Sequence, residues 1–346
     1  MKLKALISAC ALMAASVCAH AEMDTVRWKL HSAYSSSQAV TGTGSKQFSQ
    51  RVKALSGGKM DLRLFEPGAL LPALDYYDAV SEGSIEMAWG SPAFYASKNT
   101  AYMLFASVPF GPAAGEYLAW LKHGGGEKLW AELLAKDNLV SIPCGMVAPE
   151  AAGWFRKEIN TPEDLVGLKI RFLGLGGRVM QKLGASPQLL APGDIYTALE
   201  MGTLDATEFS MPVQDEQLGF YEIAKHYYFP GWHQQSTVLD VLIHKPYYDK
   251  LSDQQKAILH GACDAQITNS IADGEGLNFP AIHRLTDEKG AQLHKLSDEM
   301  LEKFRTAWKE VQEEEAAKNP DFAHVWESYD KFRNEYAVWK ENAYLK

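Results

Sequence analysis

The chain contains 346 residues, of which 47% are hydrophobic and 22% charged, and its formal net charge at pH 7 is -9. This acidic balance disfavours nucleic acid and anionic lipid as partners, because both are bound through clusters of lysine and arginine. A chain of this length exceeds one comfortable hydrophobic core, so the length predicts a globular protein with two lobes.

Residues 1–21 have the features of a secretory signal peptide. Lys2 and Lys4 give a basic start, residues 5–17 are almost wholly apolar, and Ala19-His20-Ala21 is a small-x-small cleavage site. The apolar run is shorter than the roughly 20 residues that a permanent transmembrane helix needs. We therefore expect export to the periplasm and a mature chain that begins near Glu22, whose charge becomes -11 because two lysines are lost from -9.

Patterns typical of strands and helices alternate along most of the mature chain. The predicted strands cover residues 26–31, 60–65, 85–89, 139–146, 168–172 and 238–244, and the predicted helices cover residues 45–55 and 72–81. A further short helix is expected after Thr161, which can cap a turn opened by Pro162. This alternation indicates an α/β fold with largely parallel sheets.

The C-terminal part of the chain predicts long helices. A charged amphipathic helix follows residue 285, and the tail places aromatic residues at helical spacing, namely Trp326, Tyr329, Phe332, Tyr336 and Trp339. Such an aromatic stripe is typical of packing within one chain, and a dimer interface is the alternative.

Residues 168–184, LKIRFLGLGGRVMQKLG, combine a short strand, a glycine-rich turn and the start of a helix. Gly174 and Gly176 match two positions of the dinucleotide-binding fingerprint, but Val179 replaces the third glycine, so a nucleotide site is not favoured. Arg171 lies within the apolar strand, where a guanidinium is rarely buried without an anionic partner. Arg171 is therefore the leading candidate for binding an anion.

An internal salt bridge is the alternative role for this arginine, with Glu158, Glu163 or Asp164 as the nearby partners in sequence. Two other segments place polar groups at apolar strand ends. LEMGTLDATEFS contains Asp205 and Glu208, and YYFPGWHQ crowds aromatic residues near a glycine. Polar groups that converge from several strand ends favour a binding pocket.

Sequence signatures of catalysis are absent. The chain has no Gly-x-Ser-x-Gly, no Walker lysine and no His-Glu-x-x-His, and the isolated His226 and His233 are interpreted as structural residues. These absences favour a binding protein over an enzyme.

Cys144 and Cys263 remain in the mature chain, and the sequence leaves open whether they form a disulfide or two separate buried thiols.

Several motifs in order resemble the DctP-type solute receptors of TRAP transporters, in particular the 2-oxo-acid and lactate branch. The resemblance covers nearly the whole mature chain and rests on SPAFYASKNTAYMLFASVPFG, GWFRKEINTPEDLVGLKIR, GTLDATE and YYFPGWH. It implies a non-enzymatic periplasmic receptor with an α/β, two-lobed periplasmic binding protein fold, a hinged cleft and long C-terminal helices. We expect residues 22–148 plus 237–275 in lobe I, and residues 149–236 plus 276–346 in lobe II with the C-terminal helices.

The resemblance also implies the residues that contact the ligand. Arg171 matches the arginine that pairs with the substrate carboxylate. The positions that hold a bridging Ca²⁺ or Na⁺ ion correspond to Glu150, Glu208, the backbone oxygen of Phe209, and Gln234. The resemblance implies a glutamine at the position of Glu150 and, in calcium-binding members, a glutamate at the position of Gln234. In this chain the acid and the amide have therefore changed places. The remaining expected substrate contacts are Trp232 from the second lobe and Tyr34, Trp89, Phe94 and Tyr95 from the first.

The implied ligand is a small carboxylate, in the first place a 2-oxo monocarboxylic acid, which is handed to the TRAP membrane permease subunits. Phe209 stands where the branch has tryptophan, so the cleft is expected to accept an acid larger than pyruvate. No organic cofactor is expected, and a homodimer through the C-terminal helices is a further expectation. The alternatives are a receptor for a dicarboxylate or a sugar acid, and a secreted lyase or isomerase that uses Glu208 or Asp205 as a general base.

Overall fold

The computed structural model describes residues 23–345, so the signal-peptide prediction lies outside the described residues. The strands are β1 (Val26–Ser32), β2 (Met60–Phe65), β3 (Met87–Gly90), β4 (Leu139–Val147), β5 (Gly153–Phe155), β6 (Lys169–Arg171), β7 (Ser186–Gln188), β8 (Ala206–Thr207), β9 (His226–Phe229), β10 (Thr237–His244) and β11 (Gln292–Lys295). The α-helices are α1 (Thr41–Leu55), α2 (Tyr76–Ser81), α3 (Ala114–His123), α4 (Gly126–Ala135), α5 (Gly174–Lys182), α6 (Ile195–Glu200), α7 (Pro212–Leu218), α8 (Lys245–Asp249), α9 (Asp253–His283), α10 (Asp298–Lys318) and α11 (Pro320–Ala343). Among these helices, none combines the length and the apolar character needed to cross a membrane.

Two separate sheets form the framework of the molecule. The first has the order β2-β1-β3-β10-β4, and the second has the order β11-β9-β5-β8-β6-β7. The predicted α/β fold is confirmed, but both sheets are mixed rather than largely parallel. In the first sheet β1 runs parallel to β2 and β3, whereas β10 returns from the second sheet and runs antiparallel to β3 and β4.

The strands of each sheet fall within the segments predicted for one lobe, although the domain boundaries themselves stay predictions. Helix α9 packs on β4 and α1 beside the first sheet and on α7 of the second lobe, so it spans both lobes. Of the two last helices, α10 packs on α5 of the second lobe. Helix α11, which the sequence analysis grouped with the second lobe, packs on α3 and α4 of the first.

The aromatic stripe of α11 is divided between packing and exposure. Tyr329 is fully buried and lies edge-on to Trp120, with ring centres 5.1 Å apart. Trp326 contacts Trp308 of α10 at 5.6 Å. Trp339, near the end of the helix, is 58% exposed. The first half of the stripe therefore packs within the chain, and its distal end remains on the surface.

A disulfide bond joins Cys144 of β4 to Cys263 of α9, and both residues are fully buried. This answers the question that the sequence left open. The bond links positions 119 residues apart, and it fixes the long helix to the first sheet. A crosslink between such distant positions restricts the unfolded chain and so favours the folded state.

We expect the Cys144→Ala/Cys263→Ala double variant to lose about 2–5 kcal/mol of unfolding free energy, because its unfolded chain regains the freedom that the crosslink removes. Urea denaturation followed by circular dichroism measures the change. Wild-type protein with the disulfide reduced serves as the control and should shift in the same direction. An unchanged midpoint and slope in the double variant would show that the bond does not stabilise the fold.

Candidate functional site

Four strand ends of the second sheet converge at one edge. Arg171 ends β6, and Glu208 directly follows the parallel neighbour β8, in which Thr207 lies opposite Arg171. Strand β5 runs antiparallel to β8, and β9 runs antiparallel to β5. The segment that contains Glu150, before β5, and residues 232–234, after β9, therefore reach the same edge. A site outside strand ends is the usual place for a ligand in α/β proteins.

The approach of these segments depends on glycine. The backbone N–H of Gly231 donates to the carbonyl oxygen of Glu150 at 2.9 Å. A Cβ atom at residue 231 would lie 2.2 Å from that same oxygen, so any larger residue would push the two segments apart. Gly153 has φ 138°, and a Cβ there would lie 2.8 Å from the carbonyl oxygen of Thr207. Both glycines allow backbone contacts that place acidic side chains side by side.

Arg171 and Glu208 form a buried ion pair. The Nη1 atom of Arg171 donates to Oε2 of Glu208 and to the carbonyl oxygen of Glu208, each at 2.9 Å, and the two side chains are 1% and 0% exposed. The backbone N–H of Leu173 donates to the same Oε2 at 3.0 Å. The guanidinium also lies 5.3 Å from the ring centre of Phe209.

This pairing replaces the internal salt bridges considered from the sequence, whose acids lie near Arg171 in the chain. Glu208 is 37 residues away and is brought close by the pairing of β6 with β8. The Nε atom of Arg171 has no hydrogen-bond partner within residues 23–345. The guanidinium therefore keeps an N–H that a ligand oxygen can accept from.

Glu150 is held by neutral donors. Ser210 Oγ donates to Oε1 of Glu150 at 3.1 Å, and the side-chain amide of Gln234 donates to Oε2. The Oε1 atom of Gln234 accepts from Ser107 at 2.7 Å and from Thr237 at 2.9 Å. These two donors fix the amide with its NH₂ group towards Glu150. Glu150 and Gln234, two of the cation ligands that the resemblance implies, are thus direct neighbours.

His233 is a site residue that the sequence analysis missed. It is 1% exposed, and its Nε2 lies 3.6 Å from Glu208 Oε1 and 3.8 Å from Glu150 Oε2. Neither ring nitrogen of His233 has a hydrogen-bond partner in the described part of the chain. The Oε1 atom of Glu208 also has none there. Glu150, Glu208 and His233 offer ligand atoms that all lie within 4.8 Å of one another, which is a geometry suited to a metal ion. A lone histidine in sequence gives no signal for such a placement.

The cluster is short of positive charge. Burial is the main cause that raises the pKa of Glu150 well above its usual range; Glu208 and Asp215 add to the effect, while the hydrogen bonds from Gln234 and Ser210 oppose it. Burial also raises the pKa of Asp215 to about 7, although the Trp154 indole and the Tyr227 hydroxyl donate to it. Each raised pKa reflects the cost of a buried negative charge without a full positive partner.

Tyr34 and Phe94 are predicted first-lobe residues that pack against each other. Their rings lie 5.7 Å apart and both side chains are buried. Burial raises the pKa of the Tyr34 hydroxyl, and the charge of Arg171 opposes that rise while Glu150 adds to it. Tyr34 is therefore within electrostatic reach of the charged groups of the second lobe. A direct role of either ring in ligand binding stays a prediction.

The other predicted aromatic residues pack elsewhere. The Trp89 indole donates to the carbonyl oxygen of Thr41 at 2.8 Å inside the first lobe. The Tyr95 hydroxyl donates to Asp240 at 3.0 Å, also inside the first lobe. The Trp232 ring stacks on Phe304 of α10 with ring centres 4.5 Å apart, beside His233. Trp89 and Tyr95 thus pack inside the first lobe and Trp232 packs on α10, and a ligand contact by any of them remains a prediction.

The two lobes are in contact around the cluster. From α7, the side-chain amide of Gln214 donates to Thr41 Oγ1 at 2.6 Å and to the carbonyl oxygen of Ala39. The backbone N–H of Ala39 donates to Gln217 at 2.8 Å, and that of Phe110 donates to the Trp232 carbonyl at 2.7 Å. With Arg171 and Glu208 almost inaccessible, this is a closed arrangement of the lobes.

Two α/β lobes closed over a buried guanidinium and two carboxylates define a protein that encloses a small charged solute. The family model DctP, described as bacterial extracellular solute-binding protein, family 7, matches residues 31–319. The chain belongs to this family. The resemblance to DctP-type receptors of TRAP transporters is thereby confirmed.

Similar proteins agree with this assignment. A monocarboxylate 2-oxoacid-binding periplasmic protein of Nostoc sp. is 34% identical over 92% of this chain and 87% of its own length. A TRAP transporter solute-binding protein of Bordetella bronchiseptica, a mixed-occupancy dimer with copurified calcium and picolinate, is 35% identical with a TM-score of 0.90, covering 92% of this chain and 95% of that one. A receptor of Pseudoalteromonas atlantica with bound sodium and pyruvate is 31% identical with a TM-score of 0.87, covering 92% of this chain and 97% of that one.

The buried Asp240 beside the first-lobe aromatics makes a pH-dependent contribution to stability. It is fully buried on β10, accepts from Tyr95 and Ser141, and burial raises its pKa to about 7. Between about pH 4 and pH 7 the folded protein therefore holds a proton that the unfolded chain has released, so stability falls as pH rises through this window.

We expect Asp240→Asn to remove this dependence. The unfolding free energy of the wild type, relative to the variant, should fall by up to about 1.4 kcal/mol per pH unit across the window. Urea denaturation of the ligand-free proteins at several pH values measures the difference. Ser141→Ala, which removes one donor but keeps the acid, is the control. Parallel pH profiles for wild type and Asp240→Asn would contradict a raised pKa.

Proposed function

We propose that this chain is the periplasmic receptor of a TRAP transporter, that it binds a 2-oxo monocarboxylic acid together with a hard cation, and that it delivers the acid to the membrane permease. The observation that carries this proposal is the buried cluster of Arg171, Glu208 and Glu150 between the lobes, in which Arg171 keeps an unpaired Nε–H. Family membership and the ligands of similar receptors support it. Capture and delivery require no covalent chemistry, so we assign no catalytic residue.

Arg171 would bind the carboxylate of the ligand. A planar guanidinium donates parallel hydrogen bonds to a carboxylate, and such charged hydrogen bonds are strong where water is excluded. Nη1 is engaged with Glu208, so the Nε side of the guanidinium faces the incoming acid. The ion pair with Glu208 thus orients the arginine. Trp232 and Phe209 would enclose the ligand at this end of the site.

The residues present fit a hard cation. Glu150 and Glu208 supply buried carboxylate oxygens, and Glu208 Oε1 has no hydrogen-bond partner among the described residues. The carbonyl oxygen of Phe209 would complete the protein ligands. Oxygen donors of this type suit Ca²⁺ or Na⁺, which when bound would bridge the protein and the oxygens of a 2-oxo acid.

Charge balance separates the two ions. With both acids ionised, Arg171, Glu150 and Glu208 carry one net negative charge, which a divalent cation and a monocarboxylate together cancel. A sodium ion balances the same ligand only if Glu150 keeps its proton. Because a nearby cation lowers the pKa of a carboxyl group, we propose Ca²⁺ at neutral pH. In this arrangement Gln234 directs its NH₂ group at Glu150, so we assign it to positioning that carboxylate.

The first lobe would close over the ligand, with Tyr34, Trp89, Phe94 and Tyr95 as the residues proposed to cover it. Export by residues 1–21 would place the receptor in the periplasm.

We also propose a homodimer through the C-terminal helices. Val338 and Trp339 near the end of α11 are 67% and 58% exposed, and the Bordetella bronchiseptica relative is a dimer.

Calorimetric titration tests the proposed function. Wild-type protein with Ca²⁺ should bind one 2-oxo acid per chain, with branched or aromatic acids tighter than pyruvate because Phe209 is smaller than tryptophan. Arg171→Lys keeps the charge but loses the planar set of donors, so affinity should fall at least about 30-fold. The acid should be recovered unchanged, since conversion would indicate an enzyme.

Arg178→Lys is the matched control, because this arginine lies on the adjacent α5 and its side chain is 51% exposed. It should bind as the wild type does. Circular dichroism confirms that each variant is folded. Binding of the acid by Arg171→Lys within about threefold of the wild type would overturn the role of Arg171. Tight binding of dicarboxylates alone would favour the dicarboxylate alternative.

A charge exchange tests the cation site. Glu150→Gln should weaken Ca²⁺ binding at least about tenfold, because one carboxylate is lost. Glu150→Gln/Gln234→Glu should restore most of the affinity, since the two side chains are in direct contact and the acid returns to the same place from the other side. Calcium titration measures both variants.

The control for this exchange is Glu150→Gln/Gln235→Glu, which adds an acid at the next residue. Gln235 donates instead to the Gly231 carbonyl at 2.8 Å, away from Glu150. This variant should remain weak. Equal recovery in both double variants would mean that net charge alone, and not this position, determines calcium binding.

A further inference from the structure

A second group of metal-ligating side chains lies outside the cleft, on the second sheet. His226 begins β9, and His294 lies on the parallel strand β11, where it is opposite Tyr228. Because side chains two residues apart share a face, His226, Tyr228 and His294 lie on the same side of the sheet. Glu158 follows β5, in which Phe155 is opposite His226. Three separate segments therefore meet at this point.

The three side chains have the geometry of metal ligands. His226 Nδ1 lies 3.0 Å from His294 Nε2. One ring nitrogen of each histidine and a carboxylate oxygen of Glu158 all lie within 4.8 Å of one another. At this distance the two facing nitrogens form one hydrogen bond, in which one imidazole donates and the other accepts. In a tetrahedral zinc site with Zn–N distances of about 2.0–2.1 Å, two nitrogens are roughly 3.3 Å apart, so a small separation of the rings would admit an ion.

The surrounding residues hold these ligands in place. The Tyr228 ring stacks on the His294 imidazole, with ring centres 4.7 Å apart and an angle of 14° between the planes. The Tyr228 hydroxyl accepts the backbone N–H of Ile159 at 2.8 Å, and Ile159 directly follows Glu158. One buried tyrosine thus positions both a histidine and the segment that carries the acid. Ligands that are held in this way lose little freedom when a metal binds.

We propose that Glu158, His226 and His294 form a surface site for a divalent transition-metal ion, with Zn²⁺ as its best-fitting occupant. Two imidazoles and one carboxylate suit zinc, nickel or copper and disfavour calcium, which prefers oxygen ligands. A bound ion would join β9, β11 and the segment after β5. It would fix β11, which lies at the edge of the second sheet next to β9, and leave one coordination position open to solvent.

Zinc titration of the mature wild-type protein, by calorimetry and native mass spectrometry, tests this site. We expect one Zn²⁺ per chain at this site and a rise in the unfolding temperature, because an ion that binds only the folded state stabilises it. His226→Ala/His294→Ala should weaken this binding at least about 100-fold, and Glu158→Gln at least about tenfold. Glu158 is exposed, so its replacement tests the site without disturbing the core.

Two controls assign the zinc to this site. His324→Ala removes an exposed histidine of α11 and should leave zinc binding unchanged. His233→Asn removes the histidine near the carboxylates of the cleft and should also leave this zinc in place. Binding lost only in His233→Asn would overturn the proposal, as would unchanged binding in both Glu158→Gln and the double histidine variant, or no binding by the wild type. None of these outcomes depends on which solute occupies the cleft.

Discussion

The uncompensated negative charge between the lobes is the constraint on which the rest of the structure depends. Arg171 balances Glu208, but Glu150 is buried with Ser210 and Gln234 as its side-chain donors among residues 23–345. Burying a carboxylate without a positive partner costs several kcal/mol unless the group takes up a proton. The raised pKa of Glu150 expresses that cost. The closed cluster is therefore electrostatically complete only when a further positive charge enters it.

The mixed sheet makes such a cluster possible. Parallel pairing of β6 with β8 places Arg171 beside Glu208, and the antiparallel strands β5 and β9 bring Glu150 and His233 to the same edge. A wholly parallel sheet would bring only strand C-termini to this edge. Because β5 runs in the opposite direction, the segment that precedes it, with Glu150, also lies at this edge. Gly231 then allows the backbone contact that sets the two groups of residues side by side.

The sequence predicted the parts of this arrangement that depend on local pattern. Strands with a clear pattern of apolar residues, such as residues 60–65 and 139–146, were located within one residue at each end. The expected helix at 72–81 begins only at Tyr76, and the turn capped by Thr161 is a short 3-10 helix, Pro162–Leu165. Helix α9 was missed because it contacts both lobes along its 31 residues and contains Pro280, so its apolar residues form no single stripe.

At the site, the identity of Arg171 could be read from the sequence, but its partner could not. A charged residue in an apolar strand is a local signal, whereas its pairing with Glu208 depends on strand order. The neighbouring positions of Glu150 and Gln234, 84 residues apart, depend in the same way on the pairing of β5 with β9. His233 gave no signal because its placement follows from the turn after β9.

The contacts described between the lobes are neutral hydrogen bonds, whereas the cluster that they enclose is made of charged groups. Ala39, Val40 and Thr41 form a γ-turn in which Val40 has φ 60° and ψ -65°, a conformation that is strained for a β-branched residue. Gln214 and Gln217 bind this turn through neutral hydrogen bonds, which contribute modest net stability. These neutral contacts leave the burial of Glu150 uncompensated, and that cost opposes closure of an empty receptor. The cation and the carboxylate proposed for this site would balance the charge of the cluster, so we expect closure to depend on the presence of both.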